Sequence, residues 1–176
     1  MTSAPAPTRL ADVNAMDAAA FLKLFGGVFE HSSWVAERAW ANKPFASIDA
    51  LHAAMADAVR KASFDEQLAL IRVHPELAGK EAQQGTLTAA STHEQKSGGL
   101  TELSREEMQR ISQLNRDYAA KHGHPFIIAV RLNTKEQIFS EFERRLASDI
   151  KTEFAACLEQ IYLITRLRLE ALLGKP

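Results

Sequence analysis

A histidine that directly precedes a proline is the residue in this sequence with the clearest potential for chemistry. His74 and Pro75 follow an apolar helical run in "ALIRVHPELAGK", residues 69–80. Pro75 ends a helix and biases the residue before it away from helical geometry, so the turn directs the His74 side chain. An imidazole titrates near neutral pH and can carry a proton to a substrate. It can equally cap the last carbonyl groups of the preceding helix, and the spacing leaves both interpretations open.

A carboxylate in a long polar segment is the second candidate. Ser91 and Glu94 lie in "STHEQ", within residues 83–103, a stretch rich in Gly, Ser and Thr that we expect to be a loop between helices. One interpretation is a capping box with purely local hydrogen bonds. The other brings both side chains into a pocket beside His74, where a carboxylate and an imidazole share acid–base work. Periodicity does not choose between the two.

An arginine on an apolar helix face is the third candidate. Arg168 follows Ile161 and Ile164 at helical spacing, which places its guanidinium on the apolar stripe of the last helix. In that position the group must extend to solvent, pair with a carboxylate or contact a polar ligand.

Other histidines give weaker indications. His122 and His124 form an H-x-H pair, a spacing that can bind metal when both rings face the same way. No carboxylate supports them nearby in the sequence, so we expect no metal site. His31 and His52 fall on helical segments beside polar neighbours and are interpreted as solvated or capping residues.

Helical periodicity dominates the elements that must position these side chains. Apolar residues recur at helical spacing over residues 17–31 and 47–62. Capping boxes predict helix starts at Ser63, Ser104 and Thr134. A long helix is expected from about residue 149 to residue 173. The one strand-like run, "FIIAV" at 126–130, is interpreted as a buried helix start or an extended connector, since a single strand cannot satisfy its own edges.

These elements predict an all-α fold. We expect a single compact helical domain of about eight helices, with a long C-terminal helix, over residues 13–174. Residues 1–12 are expected to form a flexible N-terminus.

Composition restricts the classes of function. The chain of 176 residues carries 21 basic and 22 acidic residues, so no basic field favours a nucleic acid or a membrane as partner. Its single cysteine, Cys157, has no second thiol with which to pair. No apolar run approaches the roughly 20 residues of a membrane-spanning helix. The first residues lack the basic and apolar regions of a signal peptide, so we expect a cytoplasmic protein.

Six segments taken together resemble one known family. They are "LFGGVFEHSSWVAERAW", "LALIRVHPELAGK", "TAASTHEQKSGGLTELS", "LNRDYAAKHGHPFIIAVR", "FERRL" and "EQIYLITRLRLEALL". In combination, H-P-[DE]-L-A-G-K followed by S-x-x-E-Q and G-L is similar to the decarboxylases of 2-oxo-4-hydroxy-4-carboxy-5-ureidoimidazoline (OHCU) in urate breakdown. Ser91 lies 17 residues and Glu94 lies 20 residues after His74, which agrees with the pattern of that family.

This resemblance implies an all-helical homodimer without metal or organic cofactor that converts the small molecule OHCU to (S)-allantoin and carbon dioxide. His74 matches the catalytic histidine and Pro75 its neighbour at the pocket wall, while Glu94 is expected to assist His74. Substrate contacts are implied for Ser91, Gln95, Ile127, Ile128, Ala129, Val130, Arg131 and Arg168.

Two departures from the family pattern stand out. Relatives usually carry F-G-F-P-F where this chain has "HGHPF", so His122 and His124 replace aromatic residues. Ser148 stands where an asparagine commonly follows the R-L pair. The alternatives to a decarboxylase of OHCU are a helical binding module without catalysis, a metal enzyme or hydrolase that uses His122, His124 and Glu94, and an enzyme for a related ureido acid.

Overall fold

Helices form all the regular secondary structure of residues 8–174, the part of the chain that the computed structural model describes. The described residues contain no strand. In order, the elements are α1 (Leu10–Ala15), α2 (Ala18–Phe25), α3 (Trp34–Trp40), α4 (Ile48–Arg60), α5 (Phe64–Arg72), α6 (Lys80–Gln84), α7 (Ala89–Ser97), α8 (Arg105–His122), a 3-10 helix (Val130–Leu132), α9 (Lys135–Leu146) and α10 (Ile150–Leu173). The predicted all-α class and the long C-terminal helix are confirmed.

Helix starts follow the local signals in the sequence. Ser63 accepts a hydrogen bond from the Glu66 amide while the Glu66 carboxylate accepts one from the Ser63 amide, which closes the capping box of α5. Ser104 and Thr134 make the same reciprocal arrangement at the starts of α8 and α9. All three predicted capping boxes are therefore confirmed. The sequence is sufficient to predict them, because each one depends only on residues three apart in the chain.

The polar segment 83–103 is not a loop, contrary to the prediction. It contains α7, whose N-cap is Thr88, and the Thr88 hydroxyl accepts a hydrogen bond from the Ser91 amide at 3.2 Å. Ser91 consequently lies inside the helix, and the interpretation of Ser91 and Glu94 as a capping box is wrong. With α6 and α7 included, the described residues hold ten α-helices, more than the eight predicted.

The run "FIIAV" is an extended connector, one of its two predicted forms. Residues 125–129 have no regular structure, and the 3-10 helix begins at Val130. Residues 126–130 are nonetheless buried throughout. We call residues 125–129 the connector.

The described residues divide into two units. One contains the chain up to Leu70 together with residues from Tyr162 onward, and the other contains residues 71–161. In the first, Phe21 and Phe25 pack with their ring centroids 4.7 Å apart and belong to a buried core with residues of α3 and α4. In the second, an apolar cluster joins residues from 77 to 142, including Leu77, Ile111 and Phe142.

The expected flexible N-terminus falls partly outside the described residues, since residues 1–7 are not among them. Residues 10–12 belong to α1. Within the described range, no helix is both long and apolar enough to cross a membrane.

Candidate active site

His74 lies in the turn that ends α5, and we call residues 73–79 the His74 turn. The His74 amide donates a hydrogen bond to the Ile71 carbonyl at 3.2 Å, which closes the last turn of the helix. Pro75 follows and stops the helix, as the sequence predicted. His74 is only 7% exposed. Arg72 fixes the same end of α5, because its Nε donates to the Gly123 carbonyl at the C-cap of α8, at 3.1 Å.

Ala78 and Gly79 show how tightly the backbone of the His74 turn is folded. Ala78 adopts a φ of +48° and is buried, a left-handed conformation that is strained for a residue with a Cβ atom. A Cβ on Gly79 would stand 2.6 Å from the Cβ of Glu76. The turn therefore folds back on itself tightly. Burial also raises the pKa of the Glu76 carboxyl, with a further contribution from the Glu81 charge.

Helix α7 is joined to the His74 turn through Gln95. The Gln95 Oε1 atom accepts a hydrogen bond from the Ala78 amide at 2.8 Å, and its Nε2 donates to the Glu76 carbonyl at 3.2 Å. Ser91 and Gln95 are one helical turn apart and both are buried, while Glu94 between them is partly exposed. The structure thus brings the S-x-x-E-Q segment to the residues that follow His74. Gln95 is predicted to contact substrate, and in the structure its amide oxygen and one amide hydrogen are engaged with the turn.

The end of α7 also packs closely against the 3-10 helix. A Cβ atom added to Gly98 would lie 2.2 Å from Cγ1 of Val130, so only glycine permits this approach. Segments of the predicted site that are far apart in sequence, namely 74–79, 91–95 and the start of the 3-10 helix, are therefore neighbours within one unit.

Backbone groups of the connector are largely held by side chains of this chain. The Ile127 carbonyl accepts a hydrogen bond from Arg145 Nη1 at 2.6 Å. The Ala129 amide donates to Oε1 of Gln160 at 2.9 Å, and the Ala129 carbonyl accepts from Nδ2 of Asn133 at 2.9 Å. Ile127, Ile128, Ala129 and Val130 are buried, whereas Arg131 is exposed.

A buried polar cluster holds the connector, and it consists of Tyr118, Arg145, Glu153 and Cys157. Arg145 and Glu153 are 3% and 1% exposed, and Nη2 and Nε of the arginine donate to Glu153 Oε1 at 2.6 and 2.9 Å. The Tyr118 hydroxyl also donates to Glu153, and burial holds the pKa of this phenol well above its usual range. Burial likewise raises the pKa of the Cys157 thiol to about 11, so it is a neutral core residue.

His122 and His124 occupy buried positions against an aromatic side chain. Their ring centroids lie 4.5 and 5.7 Å from that of Tyr118 and 6.0 Å from each other. They therefore fill the places of aromatic rings in the core. No group of three or more His, Cys, Asp or Glu side chains among the described residues is arranged to hold a metal ion.

We expect the substitution His122→Phe to make folding stability less sensitive to acid. Burial is the main cause that lowers the pKa of His122 in the folded protein. Below a pH of about 6.5, His122 binds a proton in the unfolded chain but not in the folded chain. The free energy of unfolding therefore decreases as the pH is lowered, until the pH reaches the lowered pKa of the folded state. Each unit of lowering corresponds to about 1.4 kcal/mol. Urea unfolding at pH 7.5 and 5 measures the effect.

The control for this prediction is His93→Phe, because His93 is exposed on α7. It should keep the wild-type difference in unfolding free energy between the two pH values. If wild type and His122→Phe lost equal unfolding free energy between pH 7.5 and 5, protonation of His122 would not contribute to the acid sensitivity of the fold.

Arg168 belongs to the other unit, where it has a carboxylate partner. Its Nη1 donates to Glu30 Oε2 at 2.7 Å and to the Val28 carbonyl at 3.2 Å. Both charged residues are buried, at 7% and 2% exposure. Of the three outcomes considered for this side chain, pairing with a carboxylate is the one observed. A guanidinium carries five N–H donors, so it can hold Glu30 and a ligand together.

Several residues that support the site were not predicted. Gln160, Asn133 and Asn115 donate to or accept from backbone groups of the connector and the His74 turn. Asn115 has a sequence signal, because it lies four residues after Ile111 and three before Tyr118, at the spacing of the buried face of α8. Gln160 and Asn133 carry no comparable signal. Glu30 was likewise not predicted, and it directly precedes His31, which has a left-handed φ of +46°.

These features define an all-helical protein with a buried histidine at a helix end and a polar helix bonded to the adjacent turn. Comparison with known proteins identifies the class. A family model described as OHCU decarboxylase matches residues 14–170. The chain belongs to the OHCU decarboxylase family.

Individual relatives agree with this assignment. The chain is 40% identical to the 2-oxo-4-hydroxy-4-carboxy-5-ureidoimidazoline decarboxylase of Haloferax volcanii over 91% of its own length and 93% of that protein. It is 37% identical to the mouse decarboxylase, Mus musculus, with 92% and 91% covered. It is also 44% identical to a uric acid degradation bifunctional protein of a Bacillus strain over 92% of its own length, but it spans only 32% of that longer protein.

Solved structures share the fold. A crystal structure of (S)-allantoin synthase superposes with a TM-score of 0.73 at 28% identity, and covers 94% of this chain and 54% of that one. A crystal structure of OHCU decarboxylase in the presence of (S)-allantoin has a TM-score of 0.67 at 18% identity, over 82% of this chain and 94% of that one. At 18% identity the second likeness concerns the fold alone.

Proposed function

We propose that this chain decarboxylates OHCU to (S)-allantoin and carbon dioxide in the urate degradation pathway. The observation that carries the proposal is the direct hydrogen bonding between Gln95 of α7 and the backbone that follows His74 and Pro75. It unites the two segments that carry the family pattern, "HPELAGK" and "STHEQ". Membership in a carboxy-lyase family then supplies the class of reaction.

The substrate provides its own electron sink. OHCU carries a carboxylate and a hydroxyl on one ring carbon, next to a carbon–nitrogen double bond. When the bond to the carboxylate breaks, its electron pair moves into that C=N group, carbon dioxide leaves and the ring nitrogen takes up a proton. The resulting enol then loses its hydroxyl proton, and the carbon that bears the ureido group gains one on a single face. The overall change consumes one proton and yields (S)-allantoin.

The protein has three tasks in this reaction. It must hold the carboxylate perpendicular to the conjugated ring, surround it with apolar surface and deliver a proton to one face. We assign the proton delivery to His74, whose buried ring lies in the His74 turn directly before Pro75. Glu94 hydrogen-bonds the N–H groups of the substrate and favours the protonated form of His74.

Further substrate contacts are assigned to α7, the connector and the 3-10 helix. An amide nitrogen carries two donors, so Gln95 can hold Glu76 with one hydrogen and the substrate with the other. We assign polar contacts to Ser91, Ile128, Val130 and Arg131, and apolar contact to Ile127, whose carbonyl is engaged with Arg145. The amide and carbonyl of Ala129 are engaged with Gln160 and Asn133, so we assign to Ala129 apolar contact only. The wall beside His74 includes Pro75.

Three further properties belong to the proposal. The enzyme needs no metal or organic cofactor, because the substrate accepts the electron pair itself. It acts in the cytoplasm, as expected from the sequence, and it forms a homodimer, which the resemblance to the family implies. Size-exclusion chromatography with light scattering measures the oligomeric state, and turnover after treatment with a chelator measures any dependence on metal.

Optically active product tests the proposed reaction. OHCU is generated in situ from urate by oxidation and ring hydrolysis, and circular dichroism follows the formation of (S)-allantoin. We expect the protein to accelerate loss of OHCU and to produce a dichroic signal, because only a protein surface directs the proton to one face. Spontaneous decay yields no such signal. Loss of OHCU at the spontaneous rate, with racemic product, would contradict the proposal.

A further inference from the structure

We propose that Asn115 is a positioning residue for His74, and that it acts through the backbone of the His74 turn. This inference rests on the proposed role of His74. Asn115 lies in the middle of α8 and is 6% exposed. Its Nδ2 donates a hydrogen bond to the Leu77 carbonyl at 3.0 Å, across 38 residues of sequence.

Three side-chain amides hold consecutive peptide groups of the His74 turn. Gln95 from α7 contacts Glu76 and Ala78, and Asn115 from α8 contacts Leu77. Gln83 from α6 donates to the Ala78 carbonyl at 3.1 Å. Polar groups from three helices thus fix the backbone from Glu76 to Ala78. The central contact of this set is that of Asn115.

The conformation of the turn requires such external support. Ala78 at a φ of +48° is strained, and a strained residue persists only where its surroundings determine its geometry. Pro75 has a fixed φ, so few torsion angles separate Leu77 from His74. A shift of the Leu77 carbonyl is therefore transmitted to the position of the imidazole. An error of about 1 Å in a reacting group can cost about a hundredfold in rate.

Folding stability alone does not account for an asparagine at this position. The Oδ1 atom of Asn115 is buried and has no hydrogen-bond partner among the described residues. A buried amide with one group unsatisfied loses free energy relative to an apolar side chain of similar shape. The neighbours of Asn115 at the turn, Leu77 and Ala78, belong to an apolar cluster. We therefore attribute the presence of asparagine at position 115 to its hydrogen bond with the Leu77 carbonyl, which fixes the turn.

The test substitutes Asn115 and separates catalysis from binding. In Asn115→Leu, we expect kcat for OHCU to fall by at least about tenfold, because the turn is free to shift. The dissociation constant of (S)-allantoin, measured by calorimetry, should stay within about twofold, since α7 and the connector are unchanged. Asn115→Ser, whose side chain is too short to reach the Leu77 carbonyl, should give the same division between kcat and affinity.

Controls separate this role from a general loss of stability. Val59→Ala removes buried apolar atoms from α4 and lowers thermal stability without touching the turn, so its kcat should remain at the wild-type value. Wild-type kcat in folded Asn115→Leu, an equal fall in kcat and allantoin affinity, or failure of both Asn115 variants to fold would each overturn the inference. If His74→Gln keeps normal turnover, the proposed role of His74 is what fails.

Discussion

Replacement of His74 by glutamine is expected to lower kcat for OHCU by about 10²–10⁴-fold, the range in which a positioned proton donor contributes. Glutamine keeps a polar side chain of similar size but cannot transfer a proton at neutral pH. The fold should persist, because the helix end depends on the His74 amide and on Pro75 rather than on the ring. Initial rates of (S)-allantoin formation measure the effect.

A second histidine provides the matched control for this substitution. His93 lies on α7, one residue before Glu94, and is exposed. His93→Gln should leave kcat within about twofold of wild type. The comparison therefore distinguishes the specific role of His74 from the general effect of removing a histidine. Far-ultraviolet circular dichroism of both variants should match the wild type. Near-normal turnover in His74→Gln would remove His74 from the proton transfer.

Replacement of Glu153 by glutamine is expected to lower the free energy of unfolding by about 3–5 kcal/mol, the usual cost of removing one partner from a buried ion pair. The change leaves the Arg145 guanidinium without its counter-charge at 3% exposure. It also replaces the charged acceptor of the Tyr118 hydroxyl by a neutral amide oxygen, which is a weaker acceptor. Because the same Arg145 holds the Ile127 carbonyl, the connector should loosen as well. Urea unfolding measures the loss in stability.

The neighbouring arginine offers a control of identical chemistry. Arg144 pairs with Glu141 at 2.7 Å, but the two side chains are 64% and 38% exposed. Glu141→Gln should therefore cost no more than about 1 kcal/mol, since water screens the pair. The double substitution Arg145→Met with Glu153→Leu should recover much of the stability lost in Glu153→Gln, because no buried charge remains. A cost below 1 kcal/mol for Glu153→Gln would contradict the assignment of a buried, coupled pair.

The behaviour of α10 shows the limit of periodicity. Its apolar spacing predicted a long amphipathic helix, and α10 spans 24 residues. Yet the buried positions of this helix include Glu153, Thr165 and Arg168. Each is stable there because it has a partner outside α10 or a backbone acceptor, such as Arg145 for Glu153 and Glu30 for Arg168. Hydrophobicity does not reveal such partners in advance.

Patterns in the amino-acid sequence are sufficient to predict the helical class, three capped helix starts, the helix end at His74 and the family. These depend on spacings of three or four residues, on the fixed geometry of proline and on the combination of motifs, all of which are local in the chain. Family resemblance also selected His74 and Glu94 before any contact was known. The role of each as a reacting group stays a prediction.

The contacts of these residues, in contrast, depend on the tertiary structure. The polar segment predicted to be a loop contains α7, because the Thr88 cap and the burial of Ser91 and Gln95 favour a helix there. In the folded protein, the amide oxygen and nitrogen of Gln95 both form hydrogen bonds with the His74 turn, and Asn115 forms another with the same turn. Such hydrogen bonds join residues 17 to 38 positions apart. No local sequence pattern predicts these hydrogen bonds, because they stabilise the protein only after packing has removed water from both partners.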